Sequence, residues 1–122
     1  MRLLALFVAI LLPLPLLAAP NIKAVATTHN FGSVLQGTPV NHSFVVENRG
    51  SSPLQILKIT PDCGCSAAEL PSPFVEAGER TKIDVTFNTS GFFGFKRRTF
   101  RVFTNDPRKR YYILSIEGEQ MK

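Results

Sequence analysis

Cys63 and Cys65 are the only thiols in the chain, and a single residue, Gly64, separates them. A pair this tight acts as one chemical unit, and three chemistries are open to it. Oxidised, it closes a local disulfide, a bend that Gly64 favours because glycine adopts dihedrals other residues avoid. An extended i,i+2 pair lies near or beyond the about 4.4–6.8 Å Cα separation a relaxed disulfide tolerates, so this bridge is expected to be strained and readily reduced. Reduced, the two sulfurs suit a soft ion such as Cu(I), which is satisfied by few ligands, with His42 or His29 as a third donor. Thiol exchange with a partner is the third chemistry, and nearby cations would favour the thiolate that it needs. Beside these stands the plain reading that the bridge only shapes a loop. A closed zinc site fits poorly, since it takes four protein ligands and the chain offers two cysteines and two histidines without the usual spacing.

No other constellation offers catalysis. A Ser/His/Asp set cannot be assembled, no glycine-rich phosphate loop occurs, and Glu69, Glu76, Glu79 and Asp84 fall in turns or at outward strand positions. Thiol oxidoreductases usually seat their nucleophile at a helix N-terminus, which lowers its pKa, and helical spacing is absent beyond the first residues. The chain therefore reads as a non-enzymatic module, with no catalytic residues and no cofactor unless the pair takes Cu(I).

The elements that position the cysteines are strands. Val40, His42, Phe44 and Val46 alternate along one run, Ile83, Val85 and Phe87 along a second, and Phe100 with Val102 along a third, a period of two that marks half-buried strands. Between the runs stand "NRGSSP", "PSPFVEAGE", "NTSGFFG" and "TNDPRK", whose Gly, Pro, Asn and Asp residues supply turn dihedrals. Seven strands follow, near 22–28, 40–48, 53–60, 65–70, 80–88, 95–104 and 111–118. That pattern predicts an all-β, immunoglobulin-like sandwich, without the Cys…Trp…Cys core of antibody domains because the chain has no tryptophan.

Ahead of the sandwich, Arg2 and the apolar run from Leu3 to Ala19 have the form of a secretory signal. Cleavage after Ala18 divides the chain into a signal peptide, 1–18, and one domain, 19–122, and predicts a periplasmic or extracellular protein. An uncleaved anchor is disfavoured, because the run falls short of the roughly 20 residues that span a bilayer and carries Pro13 and Pro15. No later run could insert into a membrane. Losing Arg2 takes the formal charge from +5 to +4, and seven of the thirteen remaining cations lie in "KRRTFR" and "RKR". In an exported chain these read as solvated strand faces, not as a nucleic-acid site.

The order "FGSVLQGTPVNHSFVVENRGSSPLQILKITPDCGCS", "AGERTKIDVTFNTSGFFGFKRRTFRVFTNDP" and "LSIEGE" resembles the bacterial family of domain of unknown function number 1573 over nearly all of the mature chain. The shared pieces are a Phe-Gly entry, a Phe-x-x-x-Asn-x-Gly strand and turn, Cys-Gly-Cys, an Ala-Gly-Glu turn, Thr-Phe-Asn-Thr and Thr-Asn-Asp-Pro, with Ser66 where members usually carry threonine. The resemblance implies an exported Ig-like domain, distantly similar to sandwich modules of ciliary and spindle proteins, and implies no activity.

A hairpin through "RGSS" would set His42 opposite about Ile59, near the cysteines. In an Ig sheet the 95–104 strand runs antiparallel to 53–60, which brings Lys96, Arg97 and Arg98 to the cysteine end together with Phe92 and Phe93. The expected functional spot is thus one rim holding Cys63, Gly64 and Cys65, with His42, two aromatic rings and three cations, while Arg49 and "RKR" fall at the opposite end. Its expected use is to hold another envelope or secreted protein; the alternative is Cu(I) or redox chemistry at the sulfurs.

Overall fold

A computed structural model describes residues 18–122, so residues 1–17 of the expected signal lie outside the described residues. Nine strands follow one another: β1 (Ile22–Ala24), β2 (Thr28–Leu35), β3 (Val40–Asn48), β4 (Leu54–Pro61), β5 (Ser66–Glu69), β6 (Phe74–Val75), β7 (Arg80–Phe87), β8 (Gly94–Thr104) and β9 (Tyr111–Met121). They form two sheets, ordered β1-β3-β7-β5 and β2-β9-β8-β4-β6. The expected all-β sandwich is what forms, with nine strands in place of seven.

The alternation that announced the strands also builds the core. Phe44 and Val46 of β3, Ile83, Val85 and Phe87 of β7, Phe100 and Val102 of β8, and Leu114 and Ile116 of β9 are all buried between the sheets. Each such side chain contributes about 1.5–3 kcal/mol of transfer free energy, which makes this layer the main stabilising element.

Two corrections concern topology. The segment expected as one strand, 22–28, divides. β1 pairs antiparallel with β3, and the chain then crosses to the other sheet, where β2 runs parallel to β9 from Thr28↔Ser115 to Leu35↔Met121. β2 is an edge strand with little buried surface, so its sequence carries no clean alternation.

The second correction is the hairpin. β3 and β4 lie in different sheets, β3 between β1 and β7 and β4 between β8 and β6. Instead of closing a turn, the connecting residues bond to the N-terminal segment: Arg49 donates its N–H to the Asn21 carbonyl at 2.8 Å and Ser51 to the Ala19 carbonyl at 3.0 Å. A Cβ at Gly50 would collide with the backbone of Ala19 and Asn21, so the close approach requires glycine. His42 therefore pairs with Val85, not with Ile59. The pairing of β8 with β4 is antiparallel as expected, through Thr60↔Arg101 and Pro61↔Phe100.

These registers sort the loops. Residues 36–39, 62–65 and 88–93 share one end of the sandwich with the last residues of β9. Residues 49–53 and 105–110 share the other.

Candidate functional site

The cysteines occupy the point where the chain leaves one sheet for the other. After β4, the Asp62 N–H donates to the Thr99 carbonyl of β8 at 3.0 Å, and the chain bends until Ser66 N–H meets the Cys63 carbonyl at 3.2 Å and β5 begins in the opposite sheet. The bend draws the Cα atoms of Cys63 and Cys65 to 5.1 Å, with their sulfurs at disulfide distance. That separation lies inside the relaxed range, so the strain expected of an extended pair does not arise from Cα spacing. Gly64 is not among the glycines with positive φ, and a Cβ there would meet nothing within 4 Å. The bend thus makes no use of the conformational freedom expected of this glycine. Both sulfur residues are half-buried, and Cys65 packs against the core.

The 88–93 loop closes the same end. Asn88 donates its N–H to the Cys65 carbonyl at 2.8 Å, which ties this loop to the cysteine bend. Fully buried Thr89 ties it to the third loop: its Oγ1 accepts from Gly37 N–H at 2.9 Å and donates to the Thr38 carbonyl at 2.7 Å. Gly91 and Gly94, both at φ +83, turn the chain on either side of Phe92 and Phe93. Of these two rings, Phe92 packs inward, 5.8 Å from the buried Phe87 ring, while Phe93 is 61% exposed with the Lys122 ammonium 5.5 Å from its centroid. Next to the bend opens a groove of about 480 Å³, lined among others by Gly37, Pro39, Gly64, Cys65, Phe87 and Asn88.

Strand alternation separates the three expected cations. Lys96 and Arg98 take the inner face of β8. Arg97 takes the outer face, where it donates to Ser115 Oγ at 3.3 Å and stands 4.0 Å from the Glu117 carboxylate, away from the rim. Arg98 lies over two rings, its guanidinium carbon 5.1 Å from the Phe87 centroid and 4.8 Å from that of Phe92.

His42 does not join the sulfurs. Its ring stacks on His29 of β2, centroids 3.7 Å apart and 8° from parallel, and meets the Phe44 ring edge-on at 4.6 Å. Burial, and then the charge of His29, hold its pKa below the ordinary value of 6.5. No group of three or more His, Cys, Asp or Glu is placed to hold a metal ion among the described residues. The structure thus brings together Cys63, Gly64, Cys65, Phe92 and Arg98, places Lys96 and Phe93 at their margin, and leaves out His42 and Arg97.

Three participants escaped the sequence reading. Phe87 was legible as a strand residue but not as the floor of a groove. Thr89 sat in a turn string with nothing to distinguish it. Gln120 is 1% exposed with neither side-chain amide atom hydrogen-bonded, and it pairs with Gly94 beside the 88–93 loop. Extending the even-numbered alternation of Leu114 and Ile116 past residue 118 would have placed it inside.

The family profile described as "Protein of unknown function (DUF1573)" matches residues 22–120. A protein of unknown function from Porphyromonas gingivalis W83 is similar in structure, with a TM-score of 0.74, 17% identity, 88% of this chain covered and 51% of that one. The chain thus spans about half of that protein's length. The ASH / PapD-like domain of human CEP192 is similar at a TM-score of 0.69 and 12% identity, over 91% of this chain and 92% of that one. The YadV chaperone is similar at a TM-score of 0.60 and 16% identity, over 83% and 52%. At these identities the likeness shows the fold alone. No curated protein sequence matches the chain.

Proposed function

The chain belongs to the family described as "Protein of unknown function (DUF1573)", and on that premise we propose that it is an exported, non-enzymatic binding module that holds another envelope or secreted protein at the cysteine end of its sandwich. The observation that carries this reading is the groove of about 480 Å³ beside the bend, whose walls combine three loops tied to one another by hydrogen bonds with the adjoining ends of β3, β5 and β7. Loops fixed on a rigid scaffold are where binding surfaces concentrate. The exposed Phe93 ring offers an apolar anchor on the same loop as the groove residue Asn88. Export rests on the leader-like first residues of the sequence.

Gly64 allows a direct test. Its surroundings are open and its backbone lies outside the left-handed region, so a photoreactive side chain fits there without distortion. Irradiation of cells producing the full chain with this substitution should yield a discrete adduct with one protein. Only diffuse background adducts would overturn the reading. The adduct should survive combined Cys63→Ser and Cys65→Ser exchange.

A second reading, thiol exchange, is favoured by the half-exposed position of both sulfurs at the rim. Alkylation and intact-mass analysis of protein taken from its own envelope would support it by finding a mixture of reduced and oxidised chains. A fully bridged population unreactive toward a dithiol would sink it. Cu(I) draws less support, since the third donor expected from His42 is engaged with His29. Anaerobic titration of the reduced chain against a competing chelator should show no retained copper.

A further inference from the structure

Arg98 is held as a receptor would hold it. Its guanidinium is stacked against two aromatic faces, with its carbon 5.1 Å from the Phe87 centroid and 4.8 Å from the Phe92 centroid, one ring from β7 and one from the closing loop. Two rings on a planar cation fix its orientation and replace part of its lost hydration. They supply no counter-charge. Its Nε is buried without a hydrogen-bond partner, and none of the ion pairs among the described residues includes Arg98. Of the two acids one step away in register, Glu117 pairs with Arg97 on the outer face of the five-stranded sheet, and Asp62 lines a separate groove with Lys58, Thr99 and Arg101 on that same face. A half-buried cation with no acid of its own is an incomplete pair.

We infer that Arg98 is the anion-receiving residue of the cysteine end and that its ligand is a carboxylate on an apolar carrier. The planar fork of an arginine matches a carboxylate with two parallel hydrogen bonds. Phosphate fits less well: a dianion loses more hydration beside two phenyl rings, and the fork offers one cation against its two charges. An apolar group next to the carboxylate would extend toward the half-buried Phe92 ring. The carboxylate could come from an acidic side chain or from the end of a polypeptide, and the two are separable by experiment. This inference rests on the reading that the cysteine end meets a protein partner.

The test follows the Arg98 Nε–H signal in proton–nitrogen correlation spectra of the full chain as purified. Four probes are titrated: N-acetylphenylalanine, which presents a terminal carboxylate beside a ring; N-acetylglutamic acid α-amide, which presents a side-chain carboxylate; N-acetylphenylalanine amide; and inorganic phosphate. A saturable shift with either carboxylate is expected, the stronger of the two naming the source. The amide should give none, and phosphate should bind at least tenfold more weakly. Arg98→Lys keeps the charge but loses the fork; read from the backbone amide signals of Phe92 and Gly94, since the Nε–H signal leaves with the arginine, carboxylate binding should weaken at least tenfold with the rest of the spectrum unchanged. No saturable shift with either carboxylate, equal binding of phosphate or amide, or undiminished binding by Arg98→Lys would each overturn the inference. Should the lysine variant fail to fold, the titrations of the unaltered chain decide alone. Adducts from Gly64 without a carboxylate response would sink this inference and leave the binding module standing, whereas missing adducts would sink the module itself.

Discussion

At the end of the sandwich away from the cysteines, buried polar groups close on one another. The Asn48 side chain accepts from Asn21 N–H at 3.2 Å and Gly50 N–H at 2.9 Å and donates to the Ser52 and Val75 carbonyls at 2.8 and 2.9 Å. Asp106, 1% exposed, accepts from Ile22 N–H at 3.0 Å and Arg108 N–H at 2.8 Å. The cysteine end closes one such group, Thr89, but leaves others open. The buried side-chain nitrogens and oxygens without partners among the described residues, Arg98 Nε and both amide atoms of Gln120, lie there. One end holds the N-terminal strand and the crossing from β3 to β4; the other keeps groups in a state that costs stability. Unmet buried polar groups cost about 1–3 kcal/mol each, so a fold that keeps them at one end only points to use there.

That contrast can be broken by substitution, and its largest consequence is at Asn48. Asn48→Ala strands two N–H donors and two carbonyls at once and should cost about 3 kcal/mol or more in urea unfolding; a loss below about 1 kcal/mol would mean that the well-bonded end does not hold the fold. Combined Cys63→Ser and Cys65→Ser exchange opens only a three-residue loop. The closure entropy of so small a loop is roughly 1.6 kcal/mol, so the pair should cost no more than about 2 kcal/mol. Gln120→Leu should go the other way and raise stability by about 1 kcal/mol, because it removes an unmet amide at similar volume. A loss instead would show that the amide has partners in solution.

The smallest effect is one of pH. The folded-state pKa of His42 is lowered, so the unfolded chain binds more protons in the window just below 6.5. Stability is therefore full above that pH and falls as acid carries the solution down through the folded-state pKa. Glu47, whose pKa is lowered chiefly by its hydrogen bond from Arg49, begins to matter only below 4.5. Unfolding midpoints between these two values should decline with acid in the native chain and stay flatter in His42→Gln.

The fold was legible because a sandwich of this kind is written in alternation, and β3, β7, β8 and β9 carry it on residues that end up fully buried. β2 and the two-residue β6 were not, since edge strands bury too little to pattern their sequence. The motif pieces that carry the family resemblance translate into folding tasks: Asn48 and Gly50 guide the crossing, Asp106 anchors β1, and Phe31 seats its ring on Gly118, where a Cβ would clash. Cys-Gly-Cys is the piece whose glycine the folded chain does not need, which a motif alone could not reveal. The order of the strands was enough to place the sulfurs, Phe92 and Arg98 at one end of the sandwich. The rim was misjudged at His42, because a short connection with turn residues reads the same whether it closes a hairpin or crosses between sheets. Arg97 was misjudged because adjacent strand residues face opposite ways.

The claim that one end holds the fold and the other meets a partner is tested most directly by placing the same photoreactive side chain at Gly64 and, separately, at exposed Arg110 of the opposite end, and comparing adducts in the same cells. The account predicts a discrete protein adduct from position 64 and background from position 110. A discrete adduct from position 110 alone, equal adducts from both, or none from either would contradict it.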